Sequence, residues 1–332
     1  MILDNQTVLI TGGTGTFGKA FTKYLLDNSK IKKVIIYSRD EFKQYHFKKE
    51  LQTNHQASLD KVRFFIGDIR DLNRLELALK DVDYVVHAAA MKHVSACEYN
   101  PFEAIKTNIL GAQNLVRATL SNHVKKVVAL STDKAVNPVN LYGGTKLVSD
   151  KLFISANAYS GEDGTRFSVV RYGNVAGSRG SVIPFFMDLI KNGATKLPIT
   201  DFQMTRFWIT IDQGIDLVIK ALTESIGGET YISKIPSFKV TDLAKAIAPH
   251  AELEEIGIRE GEKLHELMIN KDDSRYTYEW DDHFIIFPNL EWWNSSKNNT
   301  NDGKKVKDGF KYSSDNNAHF LSIEDIKEKL VT

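Results

Sequence analysis

The first half of the chain alternates short apolar runs with longer stretches in which apolar residues return every three or four positions. The runs at 7–10, 33–37, 62–66, 84–88, 126–130 and 167–171 are predicted to be buried strands, and the periodic stretches at 19–27, 72–80, 108–121 and 143–159 to be helices. Repeated strand–helix units with right-handed crossovers build an α/β fold with a doubly wound parallel sheet. After about Gly173 the rhythm gives way to segments punctuated by Gly and Pro, with further helices predicted at 212–224 and 241–248. The chain is therefore divided into a sheet-forming unit over 1–174, on which helix 212–224 packs back, and a smaller unit over 175–332. One enlarged domain carrying a cap fits the length as well. Residues 294–309 are rich in Asn, Ser and Lys and follow neither period, so they read as a solvated loop whose Lys304, Lys305 and Lys307 serve solubility.

Composition narrows the partners. The 332 residues carry 43 Lys plus Arg against 42 Asp plus Glu, so no net field draws the chain to nucleic acid or an anionic membrane. Any anionic ligand must be held locally. The one cysteine, Cys97, excludes an internal disulfide framework and a multi-cysteine metal site, and it reads as a buried thiol without a chemical role. His87, His93 and His265 lack metal-ligand spacing, so no metal is expected. Residues 1–5 lead straight into the first strand without a basic-plus-apolar leader, and no apolar run is long enough to span a bilayer. A cytoplasmic protein is the expectation.

Between the first strand and the first helix stands TGGTGTFG, residues 11–18, with Gly12, Gly15 and Gly18 spaced three apart. Glycines let the backbone turn tightly and approach a pyrophosphate, and the amides of the following helix, aided by its dipole, meet the negative charge. A glycine triplet alone is weak, but its place at the head of a strand–helix–strand series is the context a dinucleotide-binding turn requires. Thr14, Thr16 and Phe17 belong to the same turn, which makes the first unit a Rossmann domain. The second strand ends in Ser38-Arg39, where an NAD enzyme usually places a carboxylate for the ribose. Arg39 offers a fork for a 2′-phosphate instead, with Lys43 four residues on and Asp40 between them, so NADP is the expected cofactor.

Chemistry is carried further along. The fifth strand runs into Ser131-Thr132-Asp133-Lys134, and Tyr142 and Lys146 follow at a spacing that sets both on one helix face. Lys146 and an oxidised nicotinamide are expected to lower the Tyr142 phenol pKa, so that Tyr142 accepts a proton from a substrate hydroxyl.

Taken together, LITGGTGTFG, IIYSRDEFKQ, FFIGDIRDL, HAAAMKH, LSTDKAVNPVNLYGGTK, RYGNVAGSRGSVIPFF, ITDFQMTRFW and IGIREGEKLHE cover nearly the whole chain. They resemble the extended short-chain dehydrogenase/reductases and, within them, the inverting UDP-N-acetylglucosamine 4,6-dehydratases. The resemblance implies a nucleotide-sugar dehydratase, a lyase feeding pseudaminic acid synthesis and flagellin glycosylation or a related surface glycan. It gives Tyr142 the C4 hydroxyl, Asp133 the leaving C6 hydroxyl and Lys134 the C5 proton, with Thr132 beside them. Retaining dehydratases commonly show an Asp-Glu pair where this chain has Asp133-Lys134. To act as a base Lys134 must be neutral, so its pKa is expected well below the free value of about 10.4. The resemblance also implies that Asp68, Ile69, Ala88, Leu130, Ser131, Val175, Gly177, Ser178 and Arg179 border the cofactor. It assigns Lys92, Asn174, Arg206, Arg259 and Glu262 to the nucleotide sugar. A homo-oligomer of dimer units, extending to a hexamer, is implied as well.

Two departures stand out: Gly144 lies inside the Tyr142–Lys146 segment, and Ser95-Ala96-Cys97 lacks the proline of some relatives. Two other functions use part of the same equipment. A 4-epimerase or reductase would need the cradle and Tyr142 but leave Asp133 and Lys134 idle. A non-catalytic sensor of NADP or a nucleotide sugar would need the cradle alone.

Overall fold

The structure is a computed structural model that describes residues 1–162, 164–178, 180–290, 293, 300 and 302–331. Its first six strands are β1 Thr7–Thr11, β2 Lys33–Ser38, β3 Val62–Ile66, β4 Tyr84–His87, β5 Lys126–Thr132 and β6 Arg166–Tyr172. They are followed by β7 Lys196–Ile199, β8 Thr205–Phe207, β9 Thr230–Ser233, β10 Ser237–Lys239 and β11 Glu252–Glu255. The last are β12 Leu267–Ile269, β13 Thr277–Glu279, β14 His283–Ile286, β15 Lys304–Lys305 and β16 Tyr312–Ser313. The helices of the first half are α1 Thr16–Asn28, α2 Glu41–Asn54, α3 Leu72–Ala78, α4 Val94–Tyr99, α5 Pro101–Ile105, α6 Gly111–Ser121 and α7 Leu141–Ala156. Those of the second are α8 Val182–Lys191, α9 Ile211–Glu224, α10 Val240–Ile247 and α11 Ile323–Val331.

Every strand predicted in the first half is present, and β3-β2-β1-β4-β5-β6-β9 run parallel in that order. Val8, Ile10, Val34, Ile36, Val86 and Val128 pack with Phe21 and Leu25 of α1, Phe47 of α2 and Val218 and Leu222 of α9. Their neighbours in the strands, Leu9, Ile35, Val85, Val127 and Val169, form a second cluster with Leu75 of α3, Leu115 of α6 and Phe153 of α7. With helices on both faces, each strand is buried on both sides, so its sequence is an unbroken apolar run.

The expected boundary at 174 needs correction. The chain after it returns to the first sheet: β9 pairs in parallel with β6, and β14, β13 and β15 continue antiparallel beyond β9. Without them β6 would be an open edge of unpaired backbone groups. Helix α9, close to the predicted 212–224, lies against α1 and against β5, β6 and β9. A separate core remains for the rest of this half, where Ile183, Trp208, Phe238, Leu243 and Ile326 cluster beside Phe186, Leu197, Ile199 and Met204. Of the expected loop at 294–309, residues 294–299 and 301 lie outside the described residues. Lys304 and Lys305 are not loop but β15, paired with Glu279 and Tyr278. Cys97 is buried and free. Among the described residues no helix is long and apolar enough to cross a membrane.

Candidate active site

A cleft of about 630 Å³ opens at the C-terminal ends of β1, β2, β4, β5 and β6, on both sides of the point where strand order reverses. Gly12 begins its cradle at φ +66, and a Cβ there would stand 2.8 Å from Ala89 N, so only glycine fits the turn. Helix α1 follows Gly15, which gives it no side-chain cap. Burying Phe21 or Leu25 stabilises by about 1.5–3 kcal/mol each, against about 1 kcal/mol for a cap. The sheet therefore holds α1 while its first amides stay available to an anion.

Gly12, Thr14, Gly15, Thr16, Phe17 and Gly18 all line the cleft, as do Ser38, Arg39, Asp40, Lys43, Asp68 and Ile69. Ala88, Leu130, Ser131, Tyr142, Lys146, Val175 and Ser178 line it too. Gly177 does not, and Arg179 lies outside the described residues. Lys43 is engaged locally: its ammonium pairs with Asp40 at 2.8 Å, and Asp40 caps α2 by accepting from Lys43 N. Arg39 is more exposed and only 3.8 Å from Asp68, whose carboxylate is held at 2.7 Å by Arg70. Burial would raise the Asp68 carboxyl, but Arg70 and Arg39 hold it below its usual range. Arg39 is thus the less committed of the two cations.

Helix α7 sets the Tyr142–Lys146 pair. Asn140 caps it by accepting from Gly143 N at 2.7 Å, and Gly143 abuts the turn after β5 so closely that a Cβ would collide with the Lys134 carbonyl. Gly144 has open space around it, and the helix runs through it. Lys146 is buried and donates to the Leu130 carbonyl at 2.7 Å. Burial lowers its pKa and Asp150 opposes the shift. The phenol of Tyr142 is pushed up to about 12 by burial, and the cation opposing that rise is Lys134. The Lys146 ammonium itself is held at the end of β5. Behind it, Ser131 donates to Asp150 at 2.5 Å, and Asp150 stands 3.9 Å from Arg171.

Asp133 and Lys134 begin a single 3₁₀ turn at the end of β5, directly after Thr132 of the cleft wall, which they do not themselves line. Thr132 donates to Asp133 Oδ1 at 2.9 Å, and Lys134 Nζ lies 3.0 Å from that same oxygen. A second carboxylate, Glu266, stands 3.0 Å from Lys134, and Asn174 lies 3.5 Å away. Burial disfavours the ammonium, but Asp133 and Glu266 outweigh it and raise the Lys134 pKa. The expected neutral lysine is therefore not what stands here: Lys134 is an ammonium between two carboxylates. Burial and the Glu266 charge raise Asp133, whereas Lys134 and Arg206 overcome burial and lower Glu266. Glu266 closes the quoted IGIREGEKLHE stretch, but one acid among three in eleven residues gave no signal until Lys134 was seen beside it.

Lys92 and Asn174 line the cleft. Arg206 borders a small adjoining cavity with Asn174, and its guanidinium donates to the carbonyls of Thr205, Leu264 and Lys263 at 2.7, 3.1 and 3.0 Å. Arg259 is exposed and Glu262 half-buried; neither lines the cleft. Their loop is tied to α7, because Asn140 Nδ2 donates to the Gly261 carbonyl at 2.7 Å. Asn108, unassigned from sequence, accepts from Met91 N and donates to Met91 O and Thr145, which fastens the loop bearing Lys92 to α7. It sits in a π-helical turn, Lys106–Leu110, a local irregularity that often accompanies a site. His87 is buried on Thr11, its pKa driven down to about 3 by burial and Lys146, and His265 is bonded to Thr205. Among the described residues no group of three metal-ligating side chains occurs.

The family described as "Polysaccharide biosynthesis protein" matches residues 8–288. A UDP-N-acetylglucosamine 4,6-dehydratase (inverting) of Campylobacter jejuni subsp. jejuni serotype O:2 is 54% identical over 332 residues, covering 98% of each chain. A UDP-glucose 4-epimerase of Rickettsia bellii is 40% identical over 98% of this chain and 96% of its own. The solved structure of Pen from Bacillus thuringiensis superposes with a TM-score of 0.89 at 40% identity, over 100% of this chain and 99% of that one. The match runs from the glycine turn through the sheet that carries Asp133, Lys134 and Tyr142, and the chain belongs to the polysaccharide biosynthesis protein family of the extended short-chain dehydrogenase/reductases.

Proposed function

We propose that this chain dehydrates UDP-N-acetylglucosamine to a 4-keto-6-deoxy sugar with inversion at C5, recycling NADP within each turnover. The observation that carries the reading is the Asp133–Lys134 contact at 3.0 Å, buried beside Tyr142 at the end of a cleft with a glycine cradle. The cradle fits a dinucleotide, because Gly12 leaves the turn open and the start of α1 carries no side-chain cap. The nicotinamide, when bound, supplies the means to oxidise C4 and later to reduce C6. Arg39 holds the 2′-phosphate, and Tyr142 accepts the proton of O4. Lys134, after passing its proton to a neighbouring carboxylate, takes the C5 proton, whose acidity the C4 ketone raises. Asp133, whose raised pKa keeps it an acid, protonates O6 as it leaves. Lys92 and Asn174 meet the nucleotide sugar, while Arg259 and Glu262 approach it from the loop joined to Asn140.

The 40% identity to proteins named UDP-glucose 4-epimerase favours a second reading, exchange of configuration at C4. Epimerisation or simple reduction would give the buried Asp133–Lys134–Glu266 cluster no task, and a cofactor sensor would need neither the cluster nor Tyr142. The purified enzyme should turn over UDP-N-acetylglucosamine without added oxidant. Reduced nicotinamide accumulating in step with product would show a plain dehydrogenase instead.

The product suits pseudaminic acid or related surface-glycan synthesis in the cytoplasm. A homo-oligomer is part of the proposal, because Phe102, Leu110 and Val148 expose apolar side chains on packed neighbouring helical segments. Light scattering that returns a monomer at working concentration would refute it.

A further inference from the structure

Glu266 is a buried carboxylate without a stated task. Its Oε1 lies 3.0 Å from Lys134 Nζ and 3.7 Å from Arg206 Nε, and its Oε2 is buried with no hydrogen-bond partner. Asp133 holds the same ammonium at 3.0 Å, and the two carboxylate side chains are only 1% and 2% exposed. Two buried carboxylates share one ammonium, and each makes ionisation of the other costlier, so the carboxyl with fewer cations beside it holds a proton the more readily. Glu266 feels Lys134 and Arg206, while Lys263, anchored on the Val136 carbonyl, faces both carboxylates. Asp133 has Lys134 and the neutral hydroxyl of Thr132. Tyr142, near Asp133, and Lys92, near Lys134, also face the cluster.

We propose that Glu266 is a positioning residue for the elimination: at rest it is the anion of the cluster and keeps the exchangeable proton on Asp133, ready for O6, and it then takes the Lys134 proton so that the amine is free for C5. The inference rests on the reading of Asp133 as acid and Lys134 as base. The opposite titration of the two carboxyls, Asp133 raised and Glu266 lowered, agrees with it.

The protons balance. A Lys134 N–H bond breaks and a Glu266 O–H bond forms across the 3.0 Å contact, leaving an amine beside a still protonated Asp133. The C5 proton then passes to the amine, the C5–H electron pair becomes the C5–C6 double bond, and O6 leaves as water with the Asp133 proton. Lys134, again an ammonium, gives a proton to Asp133 and regains one from Glu266, which restores the starting cluster without an outside donor.

Infrared difference spectra between the parent and Asp133→Asn at neutral pH should show the carbonyl stretch of a protonated carboxyl. Between Glu266→Gln and the Glu266→Gln, Asp133→Asn double variant that band should be gone, because Asp133 becomes the counter-ion of Lys134. In Glu266→Gln, elimination should slow by roughly 10²-fold, the low end of a general acid's contribution. Its alkaline limb should move to lower pH, since removing a neighbouring negative charge lowers the Asp133 pKa. C4 oxidation should proceed, and Glu266→Asp, which keeps the charge, should recover part of the elimination rate. Persistence of the protonated band in Glu266→Gln, or equal loss of oxidation and elimination, overturns the proposal. Elimination at the parental rate in Asp133→Asn would instead remove the acid assignment beneath it, and the proposal with it.

Discussion

The Lys134 ammonium lies 3.0 Å from Asp133 Oδ1, so the two groups proposed as base and acid are in direct contact, and neither can be altered without changing the other. Lys134→Ala removes the base and also the cation that opposes the rise of the Tyr142 phenol. Product formation should fall by roughly 10² to 10⁴-fold. C4 oxidation should survive, with its rising pH limb displaced to higher pH because the phenol is harder to ionise. Stopped-flow absorbance should show reduced nicotinamide once per site without elimination, and solvent deuterium should not enter C5. Near-parental dehydration would make Lys134 structural and turn attention to Lys92.

Cofactor choice should rest on Arg39 rather than Lys43, since Lys43 is already paired with Asp40 at 2.8 Å. A charge-assisted bond to the 2′-phosphate contributes about 1.5–3 kcal/mol. Arg39→Ala should therefore erode the preference for NADP by roughly tenfold or more, as read from the ratio of dissociation constants for NADP and NAD. An unchanged ratio would place the discrimination elsewhere.

The two adjacent glycines of α7 should respond in opposite ways to alanine. At Gly143 the new Cβ would meet the Lys134 carbonyl and come 3.0 Å from Pro138 Cβ, so Gly143→Ala should destabilise by about 1–3 kcal/mol and shift the Lys134 turn. At Gly144 nothing lies within 4 Å, and Gly144→Ala should stabilise by about 0.4–1 kcal/mol through lost freedom of the unfolded chain. Urea unfolding midpoints separate the two. Equal effects would mean that α7 does not abut the turn as described.

The parallel half of the fold was legible because strands covered on both faces leave unbroken apolar runs, and Val8–Ile10 or Val127–Ala129 have no other reading once helices flank them. Helix α2 escaped notice because only Gln44, Phe47 and Leu51 of its fourteen residues are buried, too few to mark a stripe. Helix α8 hid behind Pro184 and a nearly continuous apolar composition. The late strands are pieces of two to four residues, and some find partners far back in the chain, as His283–Ile286 does on Thr230–Ser233, and no local period announces that. The glycine cradle and the Tyr142–Lys146 pair could be found from spacing because they lie within continuous segments. Glu266 could not, since its partner Lys134 is distant in sequence and only the folded chain shows the ammonium between two carboxylates. For the same reason sequence alone misjudged the charge of Lys134: burial was foreseeable, and the second carboxylate was not.

Proton NMR of UDP-N-acetylglucosamine incubated with the purified enzyme in heavy water tests the central claim most directly. The account predicts a 4-keto-6-deoxy product with deuterium at C5 and inverted C5 configuration, formed without net reduction of the cofactor. A C4 epimer that keeps its C6 hydroxyl, or a 6-deoxy product with retained C5 configuration, would contradict it.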